Sequence, residues 1–195
     1  MSYRVAVAIS GQGSNLVALL DALAHDDHTQ VVLVISDRAA EGLKRATERG
    51  IAIHRLADFR DGVEWRRILT SSVADLLVLA GYLRLVPADV VHEMSGRIIN
   101  VHPALLPKFG GPGMHGARVH EAVLASGETE SGATVHLVDE AYDRGQILAQ
   151  GRIAVPANRT AAVLAAAVLE VEHRLLPAAV RAAAVAGRPV PFVFA

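Results

Sequence analysis

The residues best suited to chemistry lie in the stretch 98–116, which reads IINVHPALLPKFGGPGMHG. Its β-branched start predicts a strand, on which Asn100 and His102, two positions apart, project from the same face. Pro103 ends that strand, and the glycine-rich segment 110–113 follows. A carboxamide can stabilise an oxyanion and an imidazole can transfer a proton. We therefore predict a catalytic site at this strand end, where open α/β sheets bind ligands.

The elements around this pair alternate between apolar strands and helices. Such alternation predicts an α/β fold with a doubly wound, mostly parallel sheet flanked by helices. We expect a single domain over 1–195, with a Rossmann-like phosphate-binding half over about 1–100 and a half over about 100–195 that completes the site. Pro177 is expected to break or restart the last helix. The predicted strands are 4–10, 30–36, 51–54, 76–80, 98–102, 131–138 and 147–155, and the predicted helices are 16–24, 41–49, 63–72, 87–94, 115–125 and 160–176.

A second candidate site is the turn Gly11-Gln12-Gly13-Ser14-Asn15, which lies between the first strand and the first helix. Glycines allow close backbone approach, and a helix N-terminus attracts a phosphate. The third glycine of a dinucleotide fingerprint and the Lys-Ser/Thr of a P-loop are both missing. The alternative is a tight turn in which Ser14 or Asn15 caps the helix.

Composition excludes several classes of protein. A net charge of −1 disfavours a nucleic-acid binder, and the chain has no cysteine for a disulfide, a thiolate nucleophile or a zinc site. His115 and His120 face different sides of their helix, and neither His-Glu-x-x-His nor Gly-x-Ser-x-Gly occurs, so we expect neither a metal nor a serine hydrolase. No apolar run is long enough to cross a membrane, which predicts a cytoplasmic protein.

The segment NVHPALLPKFGGPGMHG resembles the active-site segment of the folate-dependent formyltransferases. Their signature is Asn-x-His-Pro-Ser-Leu-Leu-Pro, and Ala104 takes the place of the serine. The similarity runs from about Val5 to about Pro177 and is greatest to the members that act in purine biosynthesis. It implies that 10-formyltetrahydrofolate, the co-substrate, donates a formyl group to the amine of glycinamide ribonucleotide (GAR), without a metal.

The resemblance also implies the catalytic residues, which are Asn100, His102 and Asp143. Asp143 is matched through its spacing from His136 and the glycine two positions after it. Asn100 would donate to the oxyanion, and His102, as an imidazolium, would donate to it and then protonate the leaving group. We expect Asp143 to raise the pKa of His102 and so keep it charged.

Further binding residues follow from the same resemblance. The turn after the first strand would bind the GAR phosphate, and a glutamate of the last helix would bind its ribose. The apolar loop after the fourth strand would line the pterin pocket. A basic residue that the family places near Gly62 is missing, and Arg60 is its candidate replacement. Expected GAR contacts are Gly11, Gly13, Ser14, Asn15 and Glu172, and expected folate contacts are Leu83, Arg84, Leu85, Val86, Asn100, Asp139 and Arg60.

Three other functions remain open. A methionyl-tRNA formyltransferase would need a further C-terminal domain, whereas this chain stops at Ala195. A formyltetrahydrofolate deformylase would carry an N-terminal regulatory domain, whereas this chain starts on its first strand. A nucleotide-binding regulatory module would bind without turnover. We expect small-molecule partners only, no nucleic acid or membrane, and a monomer or weak homodimer.

Overall fold

The computed structural model describes residues 2–158 and 160–194. Within these residues, strands alternate with helices until β5, and β6 and β7 then follow each other directly. The strands are β1 (Tyr3–Ile9), β2 (Thr29–Ser36), β3 (Ala52–Arg55), β4 (Leu76–Leu79), β5 (Ile98–His102), β6 (Glu130–Leu137) and β7 (Ile147–Ala154). The helices are α1 (Ser14–Leu23), α2 (Glu41–Glu48), α3 (Gly62–Ser72), α4 (Ala88–Glu93), α5 (Ala117–Ala125) and α6 (Ala161–Ala186).

The described strands form one sheet in the order β3-β2-β1-β4-β5-β6-β7. The five strands from β3 to β5 are parallel, whereas β6 pairs antiparallel with both β5 and β7. This confirms the predicted α/β fold with a mostly parallel sheet. The chain order reverses between β1 and β4, so the carboxyl ends of β1, β4 and β5 frame a crevice there.

The sheet separates two apolar clusters, and β1 contributes to both. Val5, Val7 and Ile9 face the cluster that includes α1 and α6, whereas Ala6 and Ala8 face the cluster built around α3 and α4. All five side chains are fully buried. Alternating side chains of one central strand therefore anchor both helical layers, which holds the carboxyl end of β1 in place beside β4.

The prediction that Pro177 breaks or restarts the last helix is wrong. α6 runs without interruption from Ala161 to Ala186, and Pro177 lies inside it. Its neighbours Leu175, Leu176 and Val180 are fully buried in the larger apolar cluster. Burial of this apolar surface outweighs the backbone hydrogen bond that proline cannot donate.

The ends of the helices follow local capping chemistry. Thr160 caps α6 as expected, because its hydroxyl accepts a hydrogen bond from the Val163 amide. α1 is preceded by Gly13 in a left-handed conformation (φ 73°), with no side-chain cap from Ser14 or Asn15. α5 begins two residues later than predicted, because Gly116 has a φ of 61° and is outside the helical region.

Candidate active site

A cavity of about 340 Å³ opens at the carboxyl ends of β4 and β5. Four segments of the chain meet there: the loop after β4, the end of β5 with its glycine-rich loop, the β6–β7 loop, and one residue of α6. The predicted site residues that line it are Leu83, Arg84, Leu85, Val86, Asn100, His102, Asp139, Asp143 and Glu172. The structure therefore places most of the predicted residues around one cavity.

Asn100 is oriented by a histidine from the neighbouring strand. His136 lies opposite Asn100 in the β5–β6 register. Nδ1–H of His136 donates to the Leu137 carbonyl at 2.7 Å, so its Nε2 is free to accept from Asn100 Nδ2 at 3.1 Å. Asp143 Oδ1 lies 3.5 Å from the same amide nitrogen. These two acceptors hold the amide group of Asn100 with its nitrogen toward the histidine and the carboxylate.

His102 is buried, and both of its ring nitrogens face oxygen atoms. Nε2–H donates to the Phe109 carbonyl at 2.8 Å, and Nδ1 lies 3.5 Å from Asp143 Oδ1. Asp143 is fixed in turn by the Gly111 amide, which donates to Oδ2 at 2.9 Å. Phe109 and Asp143 both have positive φ angles, 57° and 55°. The tight loops that carry them thus bring a carbonyl and a carboxylate to opposite sides of one imidazole.

The predicted charge on His102 is wrong, although its predicted contact with Asp143 is present. Burial lowers the pKa of His102, and this outweighs the upward effect of the Asp143 carboxylate and of the Phe109 carbonyl. The pKa of Asp143 is also lowered: desolvation opposes ionisation, but the polar contact with His136, the nearby His102 and the Gly111 amide together outweigh it. The site therefore combines a neutral imidazole with an ionised carboxylate.

The loop after β4 forms an apolar wall of the cavity. Leu83 and Leu85 are 41% and 42% exposed, whereas Val86 is buried. Arg84 lies at the rim, where its Nε is 3.4 Å from Asp37 Oδ2. Asp139 lies on the facing β6–β7 loop and is exposed. Two exposed leucines beside backbone polar groups suit a flat heterocycle.

Arg60 is not part of the cavity lining, but it lies near the rim. Its guanidinium carbon stacks on the Phe59 ring at 4.4 Å from the centroid, and Arg84 stacks on the same ring at 4.9 Å. The Phe59 ring thus gathers two cations beside the apolar wall. Gly62 is the first residue of α3, and the first basic residue of that helix is Arg66.

The turn after β1 is joined to the cavity through one buried contact. Asn15 Nδ2 donates to Glu172 Oε2 at 2.5 Å, and both side chains are buried. Desolvation raises the pKa of Glu172 to about 7. Gly11, Gly13, Ser14 and Asn15 do not line the cavity themselves. A Cβ at Gly13 would lie 2.9 Å from Gly42 Cα, so this glycine is also required for the packing of α2 against the turn.

Two histidines of this region were not predicted as site residues. His136 and Thr134 are two positions apart on β6, as Asn100 and His102 are on β5. This spacing places both side chains on one face of the strand and could have indicated that His136 belongs to the site. His120 is buried on α5, and burial, with a smaller effect from the nearby His102, lowers its pKa. Its position depends on helix packing, for which the sequence carries no comparable signal. Across residues 2–158 and 160–194, we find no cluster of three or more metal-ligating side chains.

Comparison with known proteins identifies the family of this chain. The family model described as formyl transferase matches residues 3–180. The chain belongs to the formyl transferase family. Its relatives include the chloroplastic phosphoribosylglycinamide formyltransferase of Arabidopsis thaliana, 39% identical over 181 residues, which cover 88% of this chain and 62% of that one. Phosphoribosylglycinamide formyltransferase of Escherichia coli is 34% identical over 89% of this chain and 83% of that one.

Solved structures place this formyl transferase in the same fold. A crystal structure of phosphoribosylglycinamide formyltransferase from Brucella melitensis superposes with a TM-score of 0.85 and 40% identity, covering 94% of this chain and 96% of that one. The chain spans about three fifths of the length of the plant relative named above. Within the part that the structure describes, no helix is both long and apolar enough to cross a membrane.

Proposed function

We propose that this formyl transferase moves the formyl group of 10-formyltetrahydrofolate to the amine of GAR, giving N-formyl-GAR in purine biosynthesis. The observation that carries the proposal is that Asn100, His102 and Asp143 converge between the leucine wall of the cavity and the end of the cavity at Glu172. The leucine wall suits a pterin ring, and the opposite end leads through Glu172 to the turn after β1. The names of the similar proteins support the choice of GAR.

Asn100 is proposed to stabilise the tetrahedral intermediate. When the GAR amine attacks the formyl carbon, negative charge develops on the formyl oxygen, and Asn100 Nδ2 donates a hydrogen bond to it. His136 holds that nitrogen in place by accepting one of its hydrogens at 3.1 Å, and the hydrogen proposed for the oxyanion is the other one, whose contact with Asp143 Oδ1 is longer at 3.5 Å. The donor is therefore oriented before the charge appears, which is what makes such groups effective.

His102 is proposed to act first as a base and then as an acid. Its lowered pKa leaves Nδ1 unprotonated, so this nitrogen can accept the proton that the attacking amine loses. The resulting imidazolium lies between the Phe109 carbonyl and the ionised Asp143 carboxylate, which stabilise its charge. The same proton then passes to N10 of the folate as the carbon–nitrogen bond breaks.

The binding residues divide between the two substrates. For GAR we propose the turn over Gly11, Gly13, Ser14 and Asn15 for the phosphate and Glu172 for the ribose. For the folate we propose the segment 83–86 with Asn100 and Asp139, and Arg60 for the anionic glutamate tail, because its guanidinium lies beside Arg84 on Phe59. We further propose that 1–195 acts as one catalytic unit, needs no metal, and has these small molecules as its partners. The cytoplasmic location and the monomeric or weakly dimeric state remain predictions.

One assay separates this function from the alternatives. The protein is mixed with 10-formyltetrahydrofolate with and without GAR, and the absorbance of the released folate is followed. A formyl transfer to GAR requires both substrates for turnover and yields formylated GAR by mass spectrometry. Turnover without GAR would instead identify a deformylase. Binding of either ligand without turnover would identify a regulatory module and would refute the proposal.

A further inference from the structure

A buried carboxylate lies behind the leucine wall of the cavity (residues 83–86) but does not line the cavity itself. It belongs to Asp37, which follows the last residue of β2 and whose side chain is only 2% exposed. Desolvation opposes its ionisation, but polar contacts with Arg38, Ser10 and Arg84 outweigh that effect and lower the pKa of this carboxyl group. A buried charge is costly unless it is paired, so an ionised carboxylate at this position requires an explanation.

The first link from Asp37 to the leucine wall runs through Ser10, the residue that follows β1. The buried Ser10 hydroxyl accepts a hydrogen bond from the Leu83 amide at 3.0 Å. The same hydroxyl still has a hydrogen to donate, and the Asp37 carboxylate is the charged acceptor beside it. Leu83 is thus held by its backbone, while its side chain stays exposed to the cavity.

The second link runs through Arg84, the next residue of the leucine wall. Its Nε forms an ion pair with Asp37 Oδ2 at 3.4 Å, and its guanidinium also stacks on the Phe59 ring. Arg38 pairs with the same carboxylate oxygen, but it follows Asp37 directly and is not part of the wall. Two consecutive residues of the wall, one through its backbone amide and one through its side chain, are therefore tied to a single carboxylate.

These links matter because the leucine wall exposes apolar side chains. Leu83 and Leu85 gain free energy by packing away from water, so an unanchored loop would tend to close over the space that a flat ring must enter. Fixing the loop in its open form before binding lowers the ordering cost that the ligand would otherwise meet. The edge-on contact of Tyr82 with Trp65 fixes only the start of this loop, so the wall itself depends on the links to Asp37.

We propose that Asp37 is a positioning residue for folate binding, which holds the leucine wall open for the pterin ring through Ser10 and Arg84. The inference rests on the proposed function. Asp37 lies outside the cavity lining, so it acts through the shape of the wall and not by contact with the reacting groups. Its removal should therefore weaken the binding of the folate and leave GAR binding and the chemical step nearly unchanged.

The first test compares two variants at position 37. Asp37→Ala removes both links and should raise KM for 10-formyltetrahydrofolate about three- to tenfold, as expected for the net value of one hydrogen bond. KM for GAR and kcat should change less than about twofold. Asp37→Asn should lie between the wild type and Asp37→Ala, because its side-chain oxygen still accepts hydrogen bonds but carries no charge. Asp21→Ala removes an exposed aspartate that pairs with Arg49 and is the matched control.

A double-mutant cycle tests the link through Ser10. Ser10→Ala removes the acceptor of the Leu83 amide and should also raise KM for the folate. Because both substitutions break the same link, the double variant should be little worse than Asp37→Ala alone. Two factors that multiply, an unchanged KM for the folate in Asp37→Ala, or equal rises in KM for both substrates would overturn the inference. If Asp37→Ala does not fold, Ser10→Ala takes its place in the first test.

A substrate without the glutamate tail separates the shape of the wall from the charge of Arg84. With 10-formyltetrahydropteroate as formyl donor, Asp37→Ala should show the same relative rise in KM as with the full folate. If the effect disappears with the shorter donor, Asp37 acts only on the pairing of Arg84 with the tail, and its proposed role in shaping the wall is overturned.

The inference can fail separately from the proposed function. If the wild type shows no turnover that requires GAR, the proposed function fails by itself. Binding of tetrahydrofolate, measured by calorimetry, then decides the role of Asp37. Weaker binding by Asp37→Ala than by the wild type would support the positioning role, whereas equal binding, or no binding to the wild type, would overturn it.

Discussion

The two ends of the cavity differ in how completely their polar groups are paired. Around β5, the side chains of Asn100, His102, His136 and Asp143 contact one another or nearby backbone groups. Toward α6, Asn15 Oδ1 and His120 Nδ1 have no partner among the described residues. The protein thus fixes the groups proposed to do chemistry, and leaves hydrogen-bonding capacity where a substrate is proposed to bind. Variants at the β5 end should therefore change kcat, and variants at the α6 end should change KM or stability.

The largest effect is expected at Asn100. Asn100→Ala removes the proposed oxyanion donor, and the loss of one such donor typically costs about 10²–10³ in kcat. KM for GAR and the melting temperature should stay close to wild type, whereas KM for the folate can rise because Asn100 is also a proposed folate contact. Steady-state kinetics with each substrate varied in turn provides the measurement. A kcat within a few-fold of wild type would show that the β5 end is not the catalytic end.

The next effect concerns Asp143. Asp143→Asn keeps the shape of the side chain and suits the left-handed backbone at this position, but it removes the charge. The Asp143 carboxylate raises the pKa of His102 and so partly offsets the lowering caused by burial. Without that charge, the pKa of His102 should fall further in the variant. The kcat should fall roughly 10- to 100-fold, since the imidazolium loses its counter-charge.

Two measurements check the Asp143 prediction. NMR titration should show the lower His102 pKa directly. In both proteins the rate should rise as pH increases through the His102 pKa, because the neutral imidazole is the proposed base, and the midpoint should lie at lower pH in the variant. An unchanged His102 titration would mean that the two side chains are not electrostatically coupled.

A smaller effect on kcat is expected at His136. His136→Phe removes the acceptor that orients the Asn100 amide, so kcat should fall about tenfold through loss of orientation. His136→Gln carries an amide oxygen near the position of Nε2, which can accept from Asn100, and should recover part of the rate. The pair of variants distinguishes orientation from simple packing. Equal kcat in both would contradict the positioning role.

The smallest effect is expected at Glu172 and concerns stability. Its folded pKa of about 7 lies above its ordinary value of 4.5, so the folded protein binds more protons than the unfolded chain between these values. The contribution of Glu172 to stability should therefore be greatest at low pH and fall by at most roughly 1.4 kcal/mol per pH unit as pH rises through this window. The buried His102 and His120, whose pKa values are lowered, act in the opposite direction, so the test compares the wild type with a variant. Glu172→Gln keeps an acceptor for Asn15 and should remove the contribution of Glu172 to the slope. Urea unfolding at pH 5 and pH 7 measures it, and an equal slope in both proteins would place the titration elsewhere.

Much of the fold and part of the candidate site follow from the sequence because they depend on local patterns. Alternating apolar strands and helices are sufficient to predict the α/β sheet, and the i, i+2 spacing of Asn100 and His102 places both on one face of β5. The capping role of Thr160 also depends only on neighbouring residues. Pro177 shows the limit, since burial of one long helix overrides a strong local signal for a helix end.

The remaining features depend on which elements the fold brings together. Residues 102 and 143 approach each other only because β6 returns antiparallel beside β5, and the net pKa of His102 depends on how deeply that packing buries it. The contact between Asn15 and Glu172 joins two helices 157 positions apart in the chain. The sequence by itself therefore determined which types of chemical group are present. It also determined that Asn100 and His102 lie on β5, next to the glycine-rich loop. Only the tertiary structure decided their distances, their charges and their partners, because these arise from desolvation and from contacts between distant segments.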